Sequence, residues 1–258
     1  MHGPPGREPA LEFRKAWNEY FSRDIPNLML RCALMLIGVA CVGVGIALSK
    51  YSTTGTSPIS CIPAVLADYA QWHGNTFITL GMLTFLINVA FLVGEVILLR
   101  GDFAPVQLLQ LGALFAMSWF IDSSMGLIRH IPLPGYVSQF VCLVASLFVL
   151  GFGIACELKA NILMVPGDAI VHVIAYMSRK PFHRCKVIFD MSLMLGGAVL
   201  SLVLLSGLYG VREGSVMSAL LVGGLVRMWG RVLVIADPWI PPAPRVWVPP
   251  IVPGVRGE

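Results

Sequence analysis

Six long apolar runs set the strongest constraint on how this chain can fold. They cover residues 28–48, 77–99, 106–128, 137–158, 187–209 and 216–236. A helix needs roughly 20 such residues to cross about 30 Å of hydrocarbon, so each run is predicted to be a transmembrane helix. The alternating ten-residue segments of a membrane β-barrel do not occur in the sequence. The expected fold class is therefore all-α.

Composition supports a membrane location and argues against other classes. The chain of 258 residues is 57% hydrophobic and 12% charged, whereas soluble domains carry about 25% charged residues. Its net charge of +4 comes from basic residues at the ends of the runs, without the basic-aromatic stripe of a nucleic-acid surface. Six cysteines without a C-x-x-C pair predict no metal site and no disulfide framework. The expected partner is the lipid bilayer, with no nucleic acid.

Two shorter apolar segments, residues 57–69 and 166–177, lie between the first and second runs and between the fourth and fifth. Each has twelve or thirteen residues, which suits a re-entrant or interfacial helix better than a spanning one. The alternative is that both segments cross the membrane completely. The fold is thus expected to have about six transmembrane helices and two short ones.

A repeated frame predicts that the chain is built from two copies of one unit. The sequence G-x-G-I-A begins at Gly43 and again at Gly151, and proline follows at the same spacing, at Pro58 and Pro166. Repeat one would cover about residues 28–128 and repeat two about 137–236. Three spans per copy is an odd number, so the copies are expected to be inverted, as in transporters with a central site. If the short segments span, the copies are parallel.

Basic residues in the loops predict the orientation. Lys and Arg are concentrated in the amino-terminal extension and in the connection between the fourth and fifth runs. The positive-inside rule then places both termini in the cytoplasm. Residues 1–27 form a polar extension, and residues 237–258 form a proline-rich tail that is expected to be extended. The alternative for the tail is a protein partner with a proline-recognising domain.

The two proline-led segments predict a binding site. Ser57 is expected to cap a helix whose first turn begins at Pro58, and the free N–H groups of such a helix terminus attract anions. In the second copy, Val165 replaces the serine. The alternative interpretation is that proline and glycine only mark turns. The candidate substrate-binding residues are Ser57, Pro58, Asn161, Pro166, Gly167 and Asp168.

Carboxylates within the apolar runs are candidates for proton or ion coupling. Burying one costs at least about 2.5–3.5 kcal/mol on insertion scales, so such residues usually face a polar interior. For Asp190 the alternative is a salt bridge to Arg184 or Lys186. The candidates are Asp122, Glu157 and Asp190.

Two other polar residues in the second run have simpler interpretations. Glu95 lies one turn from Arg100 and is attributed to pairing and snorkelling at the interface. Asn88 is expected to make a hydrogen bond between helices. Metalloprotease, serine-hydrolase, P-loop and dinucleotide signatures do not occur in the sequence, so we expect no catalytic residue and no cofactor.

Four stretches of the sequence carry a family resemblance: residues 55–67, 98–111, 157–171 and 186–227. In these stretches the chain resembles the YczE/YyaS/YitT family of bacterial integral membrane proteins. The resemblance covers about residues 31–227. It implies a multi-pass helical protein of the bacterial inner membrane and transfers no substrate, because that family is biochemically uncharacterised.

Two functions are compatible with these patterns. The first is a secondary transporter or facilitator for a small anionic or zwitterionic solute, bound between the two proline-led segments. The second is a non-transporting accessory protein that binds a partner complex through its tail or its glycine-rich helix faces. A membrane-embedded enzyme is not expected, because no nucleophile, base and acceptor occur together.

Overall fold

The computed structural model describes residues 28–99, 108–160, 162, 165–178, 180, 182–236 and 238. These residues form eight α-helices and one short 3-10 helix, Leu233–Ala236, and no strand occurs among them. The all-α prediction is confirmed. The helices are α1 (Leu28–Tyr51), α2 (Pro58–Trp72), α3 (Leu80–Leu99), α4 (Gln110–Ile128), α5 (Gly135–Ala160), α6 (Pro166–Ser178), α7 (Phe182–Leu205) and α8 (Glu213–Val232).

The predicted division into long and short helices is confirmed. Helices α1, α3, α4, α5, α7 and α8 are long and apolar enough to cross a membrane. Helices α2 and α6 have 15 and 13 residues, which makes them about 22 and 20 Å long at 1.5 Å per residue. Both are shorter than the roughly 30 Å of hydrocarbon. The chain is a multi-pass membrane protein.

The end of α7 differs most clearly from its predicted boundary. The fifth run was expected to reach residue 209, but α7 ends at Leu205. Ser206 and Gly210 have positive φ angles, which a helix does not allow. The Ser201 hydroxyl donates to the carbonyl oxygen of Gly207 at 2.6 Å and accepts from the N–H of Tyr209 at 2.7 Å. Apolar side chains here therefore line a folded turn.

Helices α1 and α5 form the centre of the bundle and run antiparallel. The Arg31 guanidinium donates to the carbonyl oxygen of Ala160 at 3.1 Å, at the beginning of α1 and the end of α5. At their other ends, the Cys142 thiol lies 3.6 Å from the carbonyl oxygen of Leu48. We call these two ends of the bundle the Arg31 face and the Tyr51 face, respectively.

The first glycine of each G-x-G frame allows the same contact in each half. A Cβ atom at Gly43 would lie 2.8 Å from Cβ of Phe120 in α4. A Cβ atom at Gly151 would lie 2.8 Å from Cβ of Leu225 in α8. Both distances are too short for a side chain, so glycine lets α1 approach α4 and lets α5 approach α8.

The second glycine of each frame allows α1 and α5 to approach one another. A Cβ atom at Gly45 would lie 3.0 Å from the backbone of Leu150. A Cβ atom at Gly153 would lie 2.7 Å from the carbonyl oxygen of Gly38 and 2.7 Å from the N atom of Val42. The repeated frame therefore marks the close crossing at the centre of the bundle.

The packing partners of the two halves also correspond. Helix α1 packs on α4 as α5 packs on α8, and α2 packs on α7 as α6 packs on α3. Within each half, the short helix packs on the helix that follows it. With their leading helices antiparallel, the halves have the arrangement of inverted repeats. Their origin by duplication stays a prediction.

Helix α2 begins inside the bundle and ends at the Tyr51 face. Lys50, at the end of α1, forms an ion pair with Asp68 near the end of α2. Pro58 precedes Asp68 by ten residues, which is about 15 Å along the helix axis. The chain therefore leaves α1 at the Tyr51 face, turns inward, and returns to the same face along α2.

Helix α6 has the opposite direction. The Tyr136 hydroxyl at the beginning of α5 donates to the Glu213 carboxylate at the beginning of α8, which places the turn between α7 and α8 at the Tyr51 face. Helix α7 therefore begins at the Arg31 face, and α6, which ends at Ser178 just before α7, ends there too. Both short helices have the geometry of re-entrant helices that enter from opposite faces.

Candidate functional site

The amino termini of α2 and α6 meet inside the bundle. The side chain of Ile59 lies against Gly167, where a Cβ atom would be 1.9 Å from Cδ1 of Ile59. The same Cβ atom would be 3.4 Å from Oδ1 of Asn88, which α3 contributes. We define the half-helix junction as Ser57, Pro58, Ile59, Asn88, Pro166 and Gly167.

The beginning of α2 is as predicted in position but not in hydrogen bonding. Ser57 is the N-cap residue, in extended backbone conformation, and Pro58 opens the helix. We predicted that a helix N–H group donates to the Ser57 side-chain oxygen. This prediction is wrong, since the structure contains no such bond. Its hydroxyl instead pairs with the Ser60 hydroxyl at 3.1 Å. The junction therefore keeps the helix dipole but not the serine cap.

The segment that leads into α2 is held by the beginning of α8. The N–H of Gly214 donates to the carbonyl oxygen of Thr54 at 2.9 Å. The Thr56 N–H donates to the Ser215 hydroxyl at 3.1 Å, and the Thr56 hydroxyl donates to the carbonyl oxygen of Gly210 at 3.0 Å. Residues from the end of repeat two thus position the half-helix of repeat one.

Cys61 fixes α2 against α7. Its side chain is fully buried, and a Cβ atom at Gly197 would lie 2.9 Å from Cβ of Cys61. The thiol lies 3.4 Å from the carbonyl oxygen of Ser57. Cys61 is therefore a packing group between α2 and α7.

The beginning of α6 carries an ion-pair cluster. The carbonyl oxygen of Val165 accepts hydrogen bonds from the N–H groups of Asp168 and Ala169 at 2.9 and 3.0 Å. Lys186 Nζ of α7 lies 2.7 Å from Oδ1 of Asp168 and 2.9 Å from Oδ1 of Asp190. The alternative interpretation of Asp190, a salt bridge to Lys186, is what the structure shows, and Asp168 shares the same cation.

A cavity of about 470 Å³ opens beside the half-helix junction on the Tyr51 face. It extends from the end of α1 to the turn between α7 and α8, and its wall includes Gly55 and Thr56 of the segment that leads into α2. Its charged and aromatic lining residues are Lys50, Asp68, Trp72, Tyr209 and Arg212. Lys50 and Asp68 in this wall form an ion pair with one another, and none of the junction residues lines the cavity.

Asp122 does not lie at the junction. Its carboxylate accepts hydrogen bonds from the Thr79 hydroxyl at 2.6 Å and from the N–H of Gly81 at 2.8 Å. It therefore caps the amino terminus of α3 from α4 at the Tyr51 face. Asn88, which belongs to the junction, follows Gly81 by seven residues along α3, or about 10 Å along the helix axis. Asp122 is therefore a structural cap rather than a junction residue.

Of the remaining candidates, Glu157 lies in the α1–α5 crossing and Asn161 lies outside the described residues. A Cβ atom at Gly38 would be 2.9 Å from Cγ of Glu157, so the Glu157 side chain fills space beside α1. Its Oε1 atom is buried without a hydrogen-bond partner in the described structure. The terminal extension 1–27 and most of the tail 237–258 also lie outside the described residues.

Sequence reasoning missed the residues that α3 contributes. The expected hydrogen bond between Asn88 and another helix is wrong, because its Nδ2 donates to the carbonyl oxygen of Thr84 in α3 itself. Glu95 was attributed to the interface, yet its side chain is completely buried. The signal that points to both is their position: each is a polar residue in an otherwise apolar run.

Comparisons with known proteins identify a family without a known activity. A family model described as a family of unknown function, DUF6198, matches residues 29–231. This range includes all eight α-helices except Leu28, the first residue of α1, and Val232, the last residue of α8. Neither a curated protein nor a solved structure matches the chain.

Proposed function

We propose that this chain, which belongs to the DUF6198 family, is a secondary transporter or facilitator for a small anionic or zwitterionic solute. One observation carries the proposal: two half-helices from antiparallel halves meet with their amino termini at Ile59 and Gly167. Paired half-helix amino termini near the centre of inverted repeats are a common way to bind an anionic group in a membrane. Their dipoles favour negative charge there.

A cavity reaches the segment that leads into α2, whereas Ser57 and Pro58 at the junction itself are buried. The cavity of about 470 Å³ gives access from the Tyr51 face to Thr56, beside the beginning of α2. The Ile59 side chain then occupies the space above Gly167. This geometry supports a closed state in which Ile59 blocks passage between the two half-helices.

Uptake into proteoliposomes tests the proposal. The probes are radiolabelled acetate, phosphate, glycine and glycine betaine. We expect at least one probe to enter faster than in protein-free liposomes, and Ile59→Ala to increase that rate because it removes the blocking side chain. The control is Ile62→Ala, whose side chain faces Gly196 of α7 instead. Uptake equal to that of empty liposomes for all probes would contradict transport of this solute class.

A coupling proton on the ion-pair cluster is a separate part of the proposal. If Asp190 or Asp168 carries that proton, Asp190→Asn abolishes pH-dependent uptake while the protein still folds. The structure supports a competing role, since both carboxylates share Lys186. If uptake by Asp190→Asn depends on pH as it does in the wild type, Asp190 does not carry the proton and its role is the salt bridge to Lys186.

The second candidate function is a non-transporting accessory protein. Gly223 and Gly224 of α8 have open space around them, and small residues of this kind favour close contact with a helix of another protein. Removal of the residues after Asp237 tests the tail as the binding element. Loss of a co-purifying partner complex with an intact membrane domain would favour this function over transport.

The cellular location follows as part of the proposal. The resemblance to YczE/YyaS/YitT proteins and the distribution of basic residues support a location in a bacterial inner membrane. The Arg31 face would then be cytoplasmic, and so would both termini. The cavity would open to the outside of the cell.

A further inference from the structure

One face of α3 carries a buried polar strip. Thr84, Asn88 and Glu95 are separated by four and seven residues, which places them on the same side of the helix. Their exposed fractions are 1%, 1% and 0%. The strip extends from the level of the half-helix junction towards the Arg31 face, where α3 ends.

In the part of the strip nearer the half-helix junction, the hydrogen-bond donors of Thr84 and Asn88 are satisfied within α3. The Thr84 hydroxyl donates to the carbonyl oxygen of Leu80 at 2.8 Å, and Nδ2 of Asn88 donates to the carbonyl oxygen of Thr84 at 2.9 Å. Oδ1 of Asn88 has no hydrogen-bond partner among the described residues. This free acceptor lies at the amino terminus of α6, next to Gly167.

Towards the Arg31 face, the strip ends at the carboxyl group of Glu95, which has no hydrogen-bond partner among the described residues. Neither oxygen of Glu95 has a hydrogen bond in the part of the chain that the structure describes. An ionised carboxylate in an apolar interior needs a counter-ion or several donors, and without them the group takes up a proton instead. The surroundings of Glu95 therefore favour the neutral acid.

Gln110 lies at the same level. Helices α3 and α4 are antiparallel, and Gly81 of α3 contacts Asp122 of α4. Glu95 follows Gly81 by 14 residues along α3. The position 14 residues before Asp122 on the antiparallel chain is two residues from Gln110, which is less than one helical turn. Gln110 is 1% exposed, and neither its oxygen nor its nitrogen has a hydrogen-bond partner among the described residues.

The charged groups on the helices around α3 are engaged elsewhere. Asp68 of α2 pairs with Lys50, and Asp122 of α4 caps α3. Asp168 of α6 pairs with Lys186. His172 of α6 makes no hydrogen bond with either oxygen of Glu95. Among the described residues no cation donates a hydrogen bond to Glu95, and a proton satisfies its carboxyl group in this arrangement.

We propose that Glu95 is a proton-binding residue, with Gln110 as the neighbouring amide that connects it towards the Arg31 face. Binding a proton converts the carboxylate into a neutral carboxyl group. Release of the proton leaves a negative charge, which requires water or a cation to reach the strip. Proton release is therefore tied to a rearrangement of α3 against α4 and α6. The proton site rests on the proposed transport function in only one respect: for a transporter, Glu95 is the alternative to Asp190 and Asp168 as the coupling carboxyl.

Infrared spectroscopy of the purified full-length protein, in a detergent that has no ester carbonyl, tests the proton site without any solute. A protonated carboxyl group has a carbonyl-stretch band separate from those of carboxylates and amides. We expect this band at neutral pH in the wild type. Because Glu157 also has a buried oxygen without a hydrogen-bond partner among the described residues, the comparison is made in a Glu157→Gln background, where adding Glu95→Gln should remove the band. Asp122→Asn is the matched control and should leave the band in place, because the Asp122 carboxylate already accepts two hydrogen bonds.

Glu95→Asp keeps the test decisive if Glu95→Gln does not fold. The aspartic acid retains a carboxyl group at a different depth, so the band should shift rather than disappear. A spectrum that neither variant changes would overturn the proposal, because Glu95 would then be ionised or absent from the protonated population. Failure to transport any probe would leave the infrared result unaffected, so the two proposals can fail separately.

Discussion

Gly167 faces a side chain that leaves room for a hydrogen atom and nothing larger. The Cβ atom of an alanine there would lie 1.9 Å from Cδ1 of Ile59 and 3.3 Å from its Cγ1. Only the terminal methyl group of the isoleucine is therefore in the way. The closure of the junction depends on this pair rather than on the proline residues beside it.

Gly167→Ala is expected to destabilise the protein by about 1–3 kcal/mol, the usual cost of overpacking. Ile59→Val removes the clashing Cδ1 atom and alone costs about 0.5–1.5 kcal/mol. The double variant should be more stable than the sum of the single effects predicts, since each change relieves the other. Thermal unfolding in detergent measures all three. Gly112→Ala is the control, with open space around its Cβ position.

Lys186→Met is expected to lower stability by about 1–3 kcal/mol, because it leaves two partly buried carboxylates beside each other without a cation. The side chains of Lys186, Asp168 and Asp190 are 28%, 33% and 16% exposed, so water screens part of the loss. Adding Asp168→Asn and Asp190→Asn should restore the unfolding temperature. Arg184→Met, an exposed cation on the same helix, should have little effect. An equal loss of stability in Lys186→Met and Arg184→Met would contradict the role of Lys186.

At the residue scale, the sequence indicated which short segments meet but not which side chains make the contact. The repeated frame ends on Pro58 and Pro166, which open the two helices that meet in the structure. Ile59 was not predicted, since an isoleucine in an apolar segment carries no signal of its own. Glu95 was misassigned because proximity in sequence to Arg100 suggested a partner, whereas the rotation of α3 turns the side chain inward.

The elements themselves followed from the sequence much more closely. Length and hydropathy identify a membrane helix because the thickness of the hydrocarbon sets its size, and both short helices were recognised by the same criterion. The end of α7 was less well predicted, since apolar residues also line turns inside a membrane protein. The glycine frame was interpreted as a sign of duplication, and the close contact of α1 with α5 that its glycines allow was not predicted.

Gly153→Leu should prevent the α1–α5 crossing. Its Cβ atom would meet the backbone of Gly38 and Val42 at 2.7 Å, and backbone atoms in two packed helices cannot move as a side chain can. We expect a loss greater than the about 1–3 kcal/mol of ordinary overpacking. Size-exclusion chromatography and thermal unfolding measure it. Gly224→Leu on the open side of α8 is the control, and equal behaviour of the two variants would rule out the crossing.

On the scale of the whole molecule, the directions of α2 and α6 distinguish inverted from parallel halves. In the structure, α2 ends at the Tyr51 face, where Asp68 meets Lys50, and α6 ends at the opposite face. The six spanning helices also place the beginning of α1 and the end of α8 on the same side of the membrane. Parallel copies would require α2 and α6 to end on the same side of the membrane.

Single cysteines at the ends of α2 and α6 test this arrangement. His73→Cys and Met177→Cys, each in a variant whose native cysteines are alanine, occupy exposed positions. With a membrane-impermeant maleimide on intact cells, we expect labelling of His73→Cys alone, because the positive-inside rule places the Arg31 face in the cytoplasm. Met177→Cys should react only after permeabilisation. Labelling of Met177→Cys alone would reverse the orientation and keep the inverted halves, whereas labelling of both from one side would contradict inversion and, with it, the site between the half-helices.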